Sequence, residues 1–155
     1  MRFGLDFGGT NIKAGIFENN GDTIHFVEEK LSTFFASGNL LDNLITHSKK
    51  VIGNYKIESG GFAIKGLINT ETGKVENDIG AGQMLAGIKL KKVFSEALGF
   101  PFAVDNDARA YAWGEFKFGA GKGSNAMVCM TLGTGLGCSL IADGKPYSGS
   151  DSSGG

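Results

Sequence analysis

Glycine is concentrated at the ends of apolar segments, and this pattern limits the possible folds more than any other feature. The 155-residue sequence contains 26 glycines, well above the usual share of about 7%. The glycine clusters are separated by apolar runs and lie at residues 6–10, 59–61, 119–123, 132–137 and 148–155. Glycine at a strand end permits positive φ and lets the backbone approach a ligand closely. We therefore expect a folded domain with ligand-facing turns.

The order of the predicted elements indicates an α/β fold with a mixed sheet. Three β-rich segments separated by tight turns predict an antiparallel meander at the start of the chain. Helical periodicity alternates with apolar strand patterns after it, and a hairpin around a glycine turn closes the sequence. The predicted strands are 2–7, 12–17, 23–31, 60–68, 100–106, 125–133 and 136–144, the helices are 39–54, 87–99 and 107–119, and a hairpin turn is predicted at 69–75. A plain doubly wound parallel sheet does not begin with a meander.

Composition excludes several classes of protein. Lys and Arg number 15 against 16 Asp and Glu, so the net charge of −1 offers no basic excess for a nucleic-acid partner. The N-terminus lacks an apolar signal-peptide core, and no segment approaches about 18 unbroken apolar residues. We expect a single domain with a real core, no membrane partner, and a cytoplasmic location.

The two cysteines are predicted to be structural. Cys129 and Cys138 lie in apolar runs that are predicted as neighbouring strands. Their spacing matches no common zinc motif. We interpret them as reduced core residues, and we expect no zinc site in this chain.

The first glycine turn has two interpretations. Asp6 ends one predicted strand, and Gly8, Gly9, Thr10 and Asn11 lead into the next. Such a turn could be an ordinary hairpin, because Gly-Gly suits tight turns. It could equally bind phosphate, with glycine N–H groups facing the anion, polar contacts from Thr10 and Asn11, and a Mg²⁺ hydration shell held by Asp6.

A second glycine turn, "TLGTGLG" at 131–137, repeats this design between two predicted strands. A dinucleotide-binding turn would instead open a helix, so that class is excluded. Two such turns could hold one polyphosphate from two sides. The segment 118–125 is similar to a Walker A loop. That motif requires Ser or Thr after its Lys, whereas Gly123 follows Lys122 here. We therefore interpret the segment as a connecting loop.

The triplet Asp105-Asn106-Asp107 stands where a strand passes into a helix. Asp and Asn commonly cap helices, because they accept hydrogen bonds from the first free N–H groups and suit the helix dipole. A carboxylate at this point could also serve as a general base. The residues alone leave both interpretations open.

These three motifs, in this order and spacing, resemble those of the ROK family, which groups repressors, open reading frames and sugar kinases within the actin-like, ribonuclease H-like ATPases. The likeness is to glucokinases, fructokinases and N-acetylhexosamine kinases. The segment "GFAIKGLINTETG" at 61–73 also resembles the family's sugar-side segment, with Lys65 standing where members often carry Pro or a small residue. The resemblance implies a ribonuclease H-like lobe with a mixed five-stranded sheet and flanking helices.

The resemblance also implies roles for the site residues. Asp107 would be the catalytic base, Asn106 and Gly66 would contact the sugar, and Asp105 would cap the helix. ATP with Mg²⁺ would be the cofactor, and Asp6 would bind the metal indirectly. The residues expected at the ATP phosphates are Asp6, Gly8, Gly9, Thr10, Asn11, Gly133, Thr134, Gly135 and Gly137.

Residues 1–155 are expected to form the sugar-side, N-terminal lobe of a two-lobe kinase. The family's second lobe and its zinc-binding cysteines would lie beyond Gly155, so the chain alone should not complete catalysis. One alternative is the effector lobe of a sugar-responsive repressor, although six residues before the first turn leave no room for a helix-turn-helix. Another is a non-catalytic binding module that self-associates as a homodimer.

Overall fold

The computed structural model describes residues 1–36, 38–77, 81–132, 136–147 and 149. Within these residues the chain alternates between strands and helices in the order predicted. The strands are β1 (Arg2–Phe7), β2 (Asn11–Phe17), β3 (Thr23–Lys30), β4 (Ser59–Ile64), β5 (Leu67–Asn69), β6 (Lys74–Asn77), β7 (Phe102–Asn106), β8 (Met127–Leu132), β9 (Leu136–Ala142) and β10 (Lys145–Pro146). The α-helices are α1 (Leu40–Ile52), α2 (Leu90–Leu98) and α3 (Asp107–Phe118), and short 3₁₀ helices span Leu31–Phe35 and Ala81–Leu85.

The main sheet has five strands in the order β3-β2-β1-β4-β7. The β1–β2 and β2–β3 pairs are antiparallel, while β1–β4 and β4–β7 are parallel. The predicted mixed sheet, with the meander at its start, is confirmed. Sequence alternation explains its two faces, because successive side chains of a strand point to opposite sides.

One face of this sheet carries the main core. Phe3, Leu5 and Phe7 of β1 are each no more than 3% exposed and pack with buried residues of α1 and α2. Asn39 begins α1 by accepting a hydrogen bond from the Leu41 N–H. Gly99 ends α2 in the left-handed conformation. The opposite face of β1 presents Gly4 and Asp6 and is available for a site.

A second sheet has three strands in the order β10-β9-β8 and packs one face on α3. Its small core contains Ile141 together with Ala112 and Phe116 of the helix. Cys129 lies opposite Ser139 and is partly buried, whereas Cys138 lies opposite Met130 and is exposed. The prediction that both cysteines are core residues is therefore wrong for Cys138.

The strand predicted at 60–68 is two strands. β4 ends at Ile64, and the chain turns through Gly66, whose φ of 120° is accessible to glycine. β5 then pairs antiparallel with β6 in a separate two-stranded sheet, which confirms the hairpin turn predicted at 69–75. Within the described part of the chain, no helix has the length and apolar character needed to span a membrane.

Candidate active site

The strand-to-helix junction is fixed by Asn106. Its side-chain oxygen accepts hydrogen bonds from the N–H groups of Ala108 (2.9 Å) and Arg109 (3.2 Å), so Asn106 is the N-cap of α3. Its amide nitrogen donates to the Gly66 carbonyl at 3.1 Å. The junction thus holds Gly66 beside the helix start, although 40 residues separate them in the chain.

The prediction that Asp105 caps α3 is wrong. Its Oδ1 accepts from the Arg109 Nε at 2.7 Å and forms an ion pair with Nη2 of the same guanidinium at 2.6 Å. Arg109 is 2% exposed, and Asp105 is 33% exposed. Charged hydrogen bonds of this kind are roughly twice as strong as neutral ones, so the pair ties the first turn of α3 to the end of β7.

Asp107 is the first residue of α3 and is partly buried. Its Oδ1 accepts from the Ala108 N–H at 2.9 Å. The positive end of a helix dipole favours a carboxylate at this position. Asp107 therefore presents an oriented acceptor at the edge of a cavity.

That cavity has a volume of about 910 Å³ and is bounded by both sheets and α3. Its floor is the open face of the five-stranded sheet. The residues there are small (Gly4, Gly61 and Ala103), so their side chains leave space above the sheet. Asp6, Gly8 and Asp107 all line it, and Thr131 of β8 joins them from the second sheet. Residues about a hundred positions apart thus meet in one cleft.

Asp6 lies among charged neighbours in the cleft. Its Oδ2 is 3.8 Å from the Lys13 Nζ across the β1–β2 ladder. Burial raises the pKa of Asp6, Lys13 opposes that rise, and the nearby carboxylates of Asp107 and Glu28 add to it. Carboxylates that repel one another in this way fit the approach of a cation. Among the described residues, no three His, Cys, Asp or Glu side chains are gathered closely enough to hold a metal ion.

The first glycine turn is closed by its own backbone. The Gly8 N–H donates to the Asn11 carbonyl at 3.0 Å, so it faces the turn rather than a ligand. Gly9 and Thr10 are exposed, and a Cβ on Gly9 would meet nothing within 4 Å. The Asn11 side chain donates to Glu28 at 2.7 Å. Anion-facing N–H groups in this turn would thus come from Gly9 and Thr10.

The second glycine turn is described only at its flanks. Gly133, Thr134 and Gly135 lie outside the described residues, and no position is assigned to them. Gly137 packs so closely that a Cβ there would come within 3.1 Å of the Ala108 Cβ and would collide with the Thr131 hydroxyl. The strands that carry the second turn therefore meet the first turn of α3, next to Asp107.

Sequence reasoning missed three residues of this site. Lys13 faces Asp6 because the hairpin register pairs the two positions, and that register could have been read from the turn. Thr131 lines the cavity, and it stands at the start of the quoted second motif. Arg109 looked like an ordinary helix residue, since only the fold shows that its position is buried.

The strand order, the flanking helices and the cleft at the carboxyl ends of β1 and β7 define a ribonuclease H-like lobe of the actin-like ATPases. The chain belongs to the ROK family, whose sequence profile matches residues 2–155. The sequence-based family assignment and fold class are both confirmed.

Relatives of known activity include a glucokinase of Streptomyces coelicolor, 33% identical over 94% of this chain and 44% of that protein. An N-acetyl-D-glucosamine kinase of Aliivibrio salmonicida is 32% identical over 96% of this chain and 49% of that protein. Among solved structures, a ROK family glucokinase from Streptomyces griseus in complex with glucose and AMPPNP superposes with a TM-score of 0.81 at 28% identity, covering 97% of this chain and 47% of that one. The chain thus spans about half the length of the relatives it matches.

Proposed function

We propose that this chain forms one half of an ATP-dependent sugar kinase and supplies the catalytic base, Asp107. The observation that carries the proposal is the convergence of Asp6, Gly8 and Asp107 on one cavity. Phosphoryl transfer asks little covalent chemistry of a protein. It requires an aligned hydroxyl, a proton acceptor and clamped phosphates, and in this cleft Asp107 is suited to accept the proton.

Asp107 would accept the proton of the attacking sugar hydroxyl. The N-terminus of α3 favours the carboxylate form that this role needs. Asn106 has its Oδ1 occupied by the helix cap, so a sugar hydroxyl would be bound through the amide N–H that does not reach Gly66. Gly66 lies against the same amide and would contact the sugar from the other side.

The phosphates would lie against Gly9 and Thr10 of the first turn and against the second turn at 133–137. Lys13 would balance the charge of Asp6 next to them. A Mg²⁺ ion that enters with the nucleotide would be held through water by Asp6 and would neutralise phosphate charge.

The sugar would be a hexose or an amino sugar. This class is supported by the two relatives above, a glucokinase and an N-acetyl-D-glucosamine kinase. Lys65 is exposed and precedes Gly66, in the segment that resembles the family's sugar-side motif. Its substitution with alanine would show whether its charge contributes to the choice of sugar.

The deciding experiment replaces Asp107 with asparagine in a protein that combines this chain with the remaining half of the kinase fold. A coupled assay with ATP, Mg²⁺ and a panel of hexoses and N-acetylhexosamines should show a fall in kcat of about 10²–10⁴-fold. Sugar affinity, measured by calorimetry, should change little because the amide keeps the shape of the carboxylate. The 155-residue chain alone should show no turnover.

A matched control is Asp143→Asn, which makes the same chemical change in the exposed turn between β9 and β10. Its kcat should equal that of the unsubstituted protein. Full activity of the Asp107→Asn protein would remove Asp107 as the base, and turnover by the chain alone would refute its role as one half of the enzyme.

A further inference from the structure

A ring of hydrogen bonds closes around Asp107 without using its carboxylate. The Asp105 Oδ1 accepts from the Asn106 N–H at 2.7 Å and from the Arg109 Nε at 2.7 Å. The Asn106 Oδ1 accepts from the Arg109 N–H at 3.2 Å, which closes the ring. We call Asp105, Asn106 and Arg109 the junction ring. In the chain, this ring encloses the residue that is proposed as the base.

The Asp107 carboxylate has little support of its own. Its Oδ1 accepts from the N–H of the next residue, Ala108, at 2.9 Å. Among the side chains that the structure describes, none donates a hydrogen bond to this carboxylate. The direction of the carboxylate therefore depends on the backbone of residues 106–108. A reacting group that is misplaced by about 1 Å can lose about a hundredfold in rate, so this backbone matters for a base.

The junction ring fixes that backbone on both sides of Asp107. The N–H before it, on Asn106, is held by Asp105. The N–H groups after it, on Ala108 and Arg109, are held by the Asn106 side chain. The strand that carries the ring, β7, is itself held by its parallel pairing with β4. The backbone of Asp107 therefore cannot turn unless a bond of the ring or of the sheet is broken.

Arg109 is the buried member of the ring. Its side chain is 2% exposed, and its guanidinium contacts the Asp105 Oδ1 through Nε at 2.7 Å and Nη2 at 2.6 Å. A buried guanidinium is costly unless a carboxylate compensates its charge, so Arg109 keeps Asp105 turned toward the helix. Without the guanidinium, the Asp105 side chain, which is 33% exposed, could rotate toward water and would then release the Asn106 N–H.

Helix α1 shows what capping alone requires. It also begins after an asparagine, Asn39, whose side chain accepts from the Leu41 N–H at 2.8 Å. The carboxylate in its first turn, Asp42, is exposed. Helix α3 adds a buried ion pair to the same kind of cap. Since a buried ion pair often contributes little net stability, the pair at this junction fits a requirement for one fixed geometry rather than for a stronger cap.

Arg109 does not itself reach the cleft. Of the described residues, Asp105 and Asp107 line the cavity and Arg109 does not. An effect of Arg109 on the reaction would therefore pass through its neighbours.

We propose that Arg109 is a positioning residue. Acting through Asp105 and Asn106, it holds the Asp107 carboxylate in the direction from which it accepts the proton of the sugar hydroxyl. This inference rests on the proposed function, since it takes Asp107 as the base.

Arg109→Met tests the proposal, because methionine keeps an apolar stem and removes the guanidinium. The variant is made in a protein that combines this chain with the remaining half of the kinase fold, and it is assayed with ATP, Mg²⁺ and the best sugar of the panel. Rates are divided by the number of nucleotide sites, counted by calorimetry with AMPPNP, so that unfolded protein does not lower kcat. We expect kcat to fall about 10- to 100-fold, while the KM for ATP stays within about twofold.

Two further variants test the ring. Arg109→Lys restores a positive charge but not the planar fork of the guanidinium, so its kcat should lie between those of Arg109→Met and the unsubstituted protein. Asp105→Asn keeps the shape of Asp105 and weakens its bond to Arg109, and kcat should fall about 10-fold. This variant carries the same test if Arg109→Met does not fold.

A double substitution separates positioning from general damage. In the Asp107→Asn protein the base that Arg109 positions is gone, so adding Arg109→Met should change kcat by less than about twofold. The matched control is Lys92→Met, which breaks the exposed i,i+4 pair of α2 between Lys92 and Glu96, 3.8 Å apart. Its kcat should stay within about twofold of the unsubstituted value.

Each other outcome overturns the inference. An unchanged kcat in Arg109→Met and Asp105→Asn, beside a large loss in Asp107→Asn, would show that Asp107 needs no such positioning and would leave the proposed function standing. Equal falls of kcat from Arg109→Met with and without Asp107→Asn, or a loss confined to the KM for ATP, would show that Arg109 acts elsewhere. Full activity of Asp107→Asn would remove the base and, with it, the role of Arg109.

Discussion

The two sheets of this protein meet at α3 but differ in how their faces are covered. The five-stranded sheet places a dense apolar core on one face and small or charged residues such as Gly4 and Asp6 on the other. The three-stranded sheet packs one face on α3 and leaves the other apolar and exposed. The polar face of the first sheet thus lines the cavity, whereas the outer face of the second sheet is apolar and exposed.

The composition of the strands distinguishes the two sheets. β1 alternates apolar residues with Arg2, Gly4 and Asp6, which is typical of a sheet with one core face. β8 has Val128 and Met130 where an alternating strand would place polar residues. Val128 and Met130 are 64% and 61% exposed, so β8 departs from the alternation seen in β1.

The largest difference between the sheets should appear on truncating one residue in each. Phe62 of β4 is 2% exposed and packs on Phe7 and Phe94, with ring centroids 6.3 and 5.2 Å away. Phe62→Ala should lower the free energy of unfolding by about 3–5 kcal/mol. Leu132→Ala, on the exposed face of the second sheet, should change it by less than about 0.5 kcal/mol.

Urea denaturation of both variants, followed by circular dichroism, measures this difference. Equal losses of unfolding free energy from the two substitutions would contradict this difference between the sheets, because they would mean that Leu132 is covered in solution.

The next effect concerns α3, which both sheets share. Asp105→Asn should weaken the bond to the buried Arg109 and cost about 2 kcal/mol, as expected for a hydrogen bond to a charged group. Native-state hydrogen exchange should then increase at the Ala108 amide and in β8 and β9. The α2 pair Lys92–Glu96 has the same i,i+4 spacing but is about 70% exposed at both ends, so Glu96→Gln should cost less than about 0.5 kcal/mol. Equal losses of unfolding free energy from the two variants would show that burial of Arg109 does not strengthen its ion pair with Asp105.

Periodicity and turn residues were enough to predict the main sheet and all three helices, because each element carries its own local pattern. The break at Gly66 was missed, since residues 60–68 are apolar apart from Lys65 and only the positive φ of Gly66 divides them. The assignment of the cap was wrong for a similar reason. Asp105, Asn106 and Asp107 are all good caps, and only the burial of Arg109 decides that Asp105 serves another partner.

The roles of Asp107 and the glycine turns could be inferred only from motifs. The convergence of Asp6, Gly8 and Asp107 on one cavity brings together residues about a hundred positions apart, which no local pattern encodes. The register of the hairpin was more accessible, since its turn places Lys13 opposite Asp6.

The next prediction concerns a substitution that should weaken the packing of the second sheet on α3 and leave the first sheet unchanged. Gly137→Val would force β9 away from Ala108 and should cost about 1–3 kcal/mol through overpacking. Hydrogen exchange should become faster in β8 and β9 and remain unchanged in β1 and β4. Gly114→Ala in α3, where a Cβ would meet nothing within 4 Å, should instead raise stability by about 0.5–1 kcal/mol. Loss of protection in β1 after Gly137→Val would show that the two sheets unfold as one unit.

The smallest effects concern pH and contrast the two faces of the five-stranded sheet. On the site face, the pKa of Asp6 is raised above its ordinary 3.8, first by burial and then by Asp107 and Glu28 against the opposing Lys13. The folded state therefore binds a proton that the unfolded state releases, and stability falls as pH rises from 3.8 through the pKa of Asp6 in the folded state.

Near the core face, the pKa of His47 is lowered below 6.5 by burial, with Glu29 opposing and Lys50 adding to the shift. As the pH drops, His47 binds its proton at a higher pH in the unfolded state than in the folded state. The stability of the fold therefore decreases as pH drops from 6.5 through the pKa of His47 in the folded state.

The two contributions change stability with pH in opposite directions, and single variants should separate them. Asp6→Asn should raise the thermal midpoint by no more than a few degrees at pH 7 and by less near pH 4, because the amide avoids the desolvation cost of the carboxylate. His47→Gln should flatten the decline of the midpoint between pH 7 and pH 5. Differential scanning fluorimetry across pH 4–8 measures both slopes. An Asp6→Asn midpoint that is lower than that of the unsubstituted chain at pH 7 would mean that the Lys13 pair outweighs burial, and that the site face is stabilised by its charges rather than strained by them.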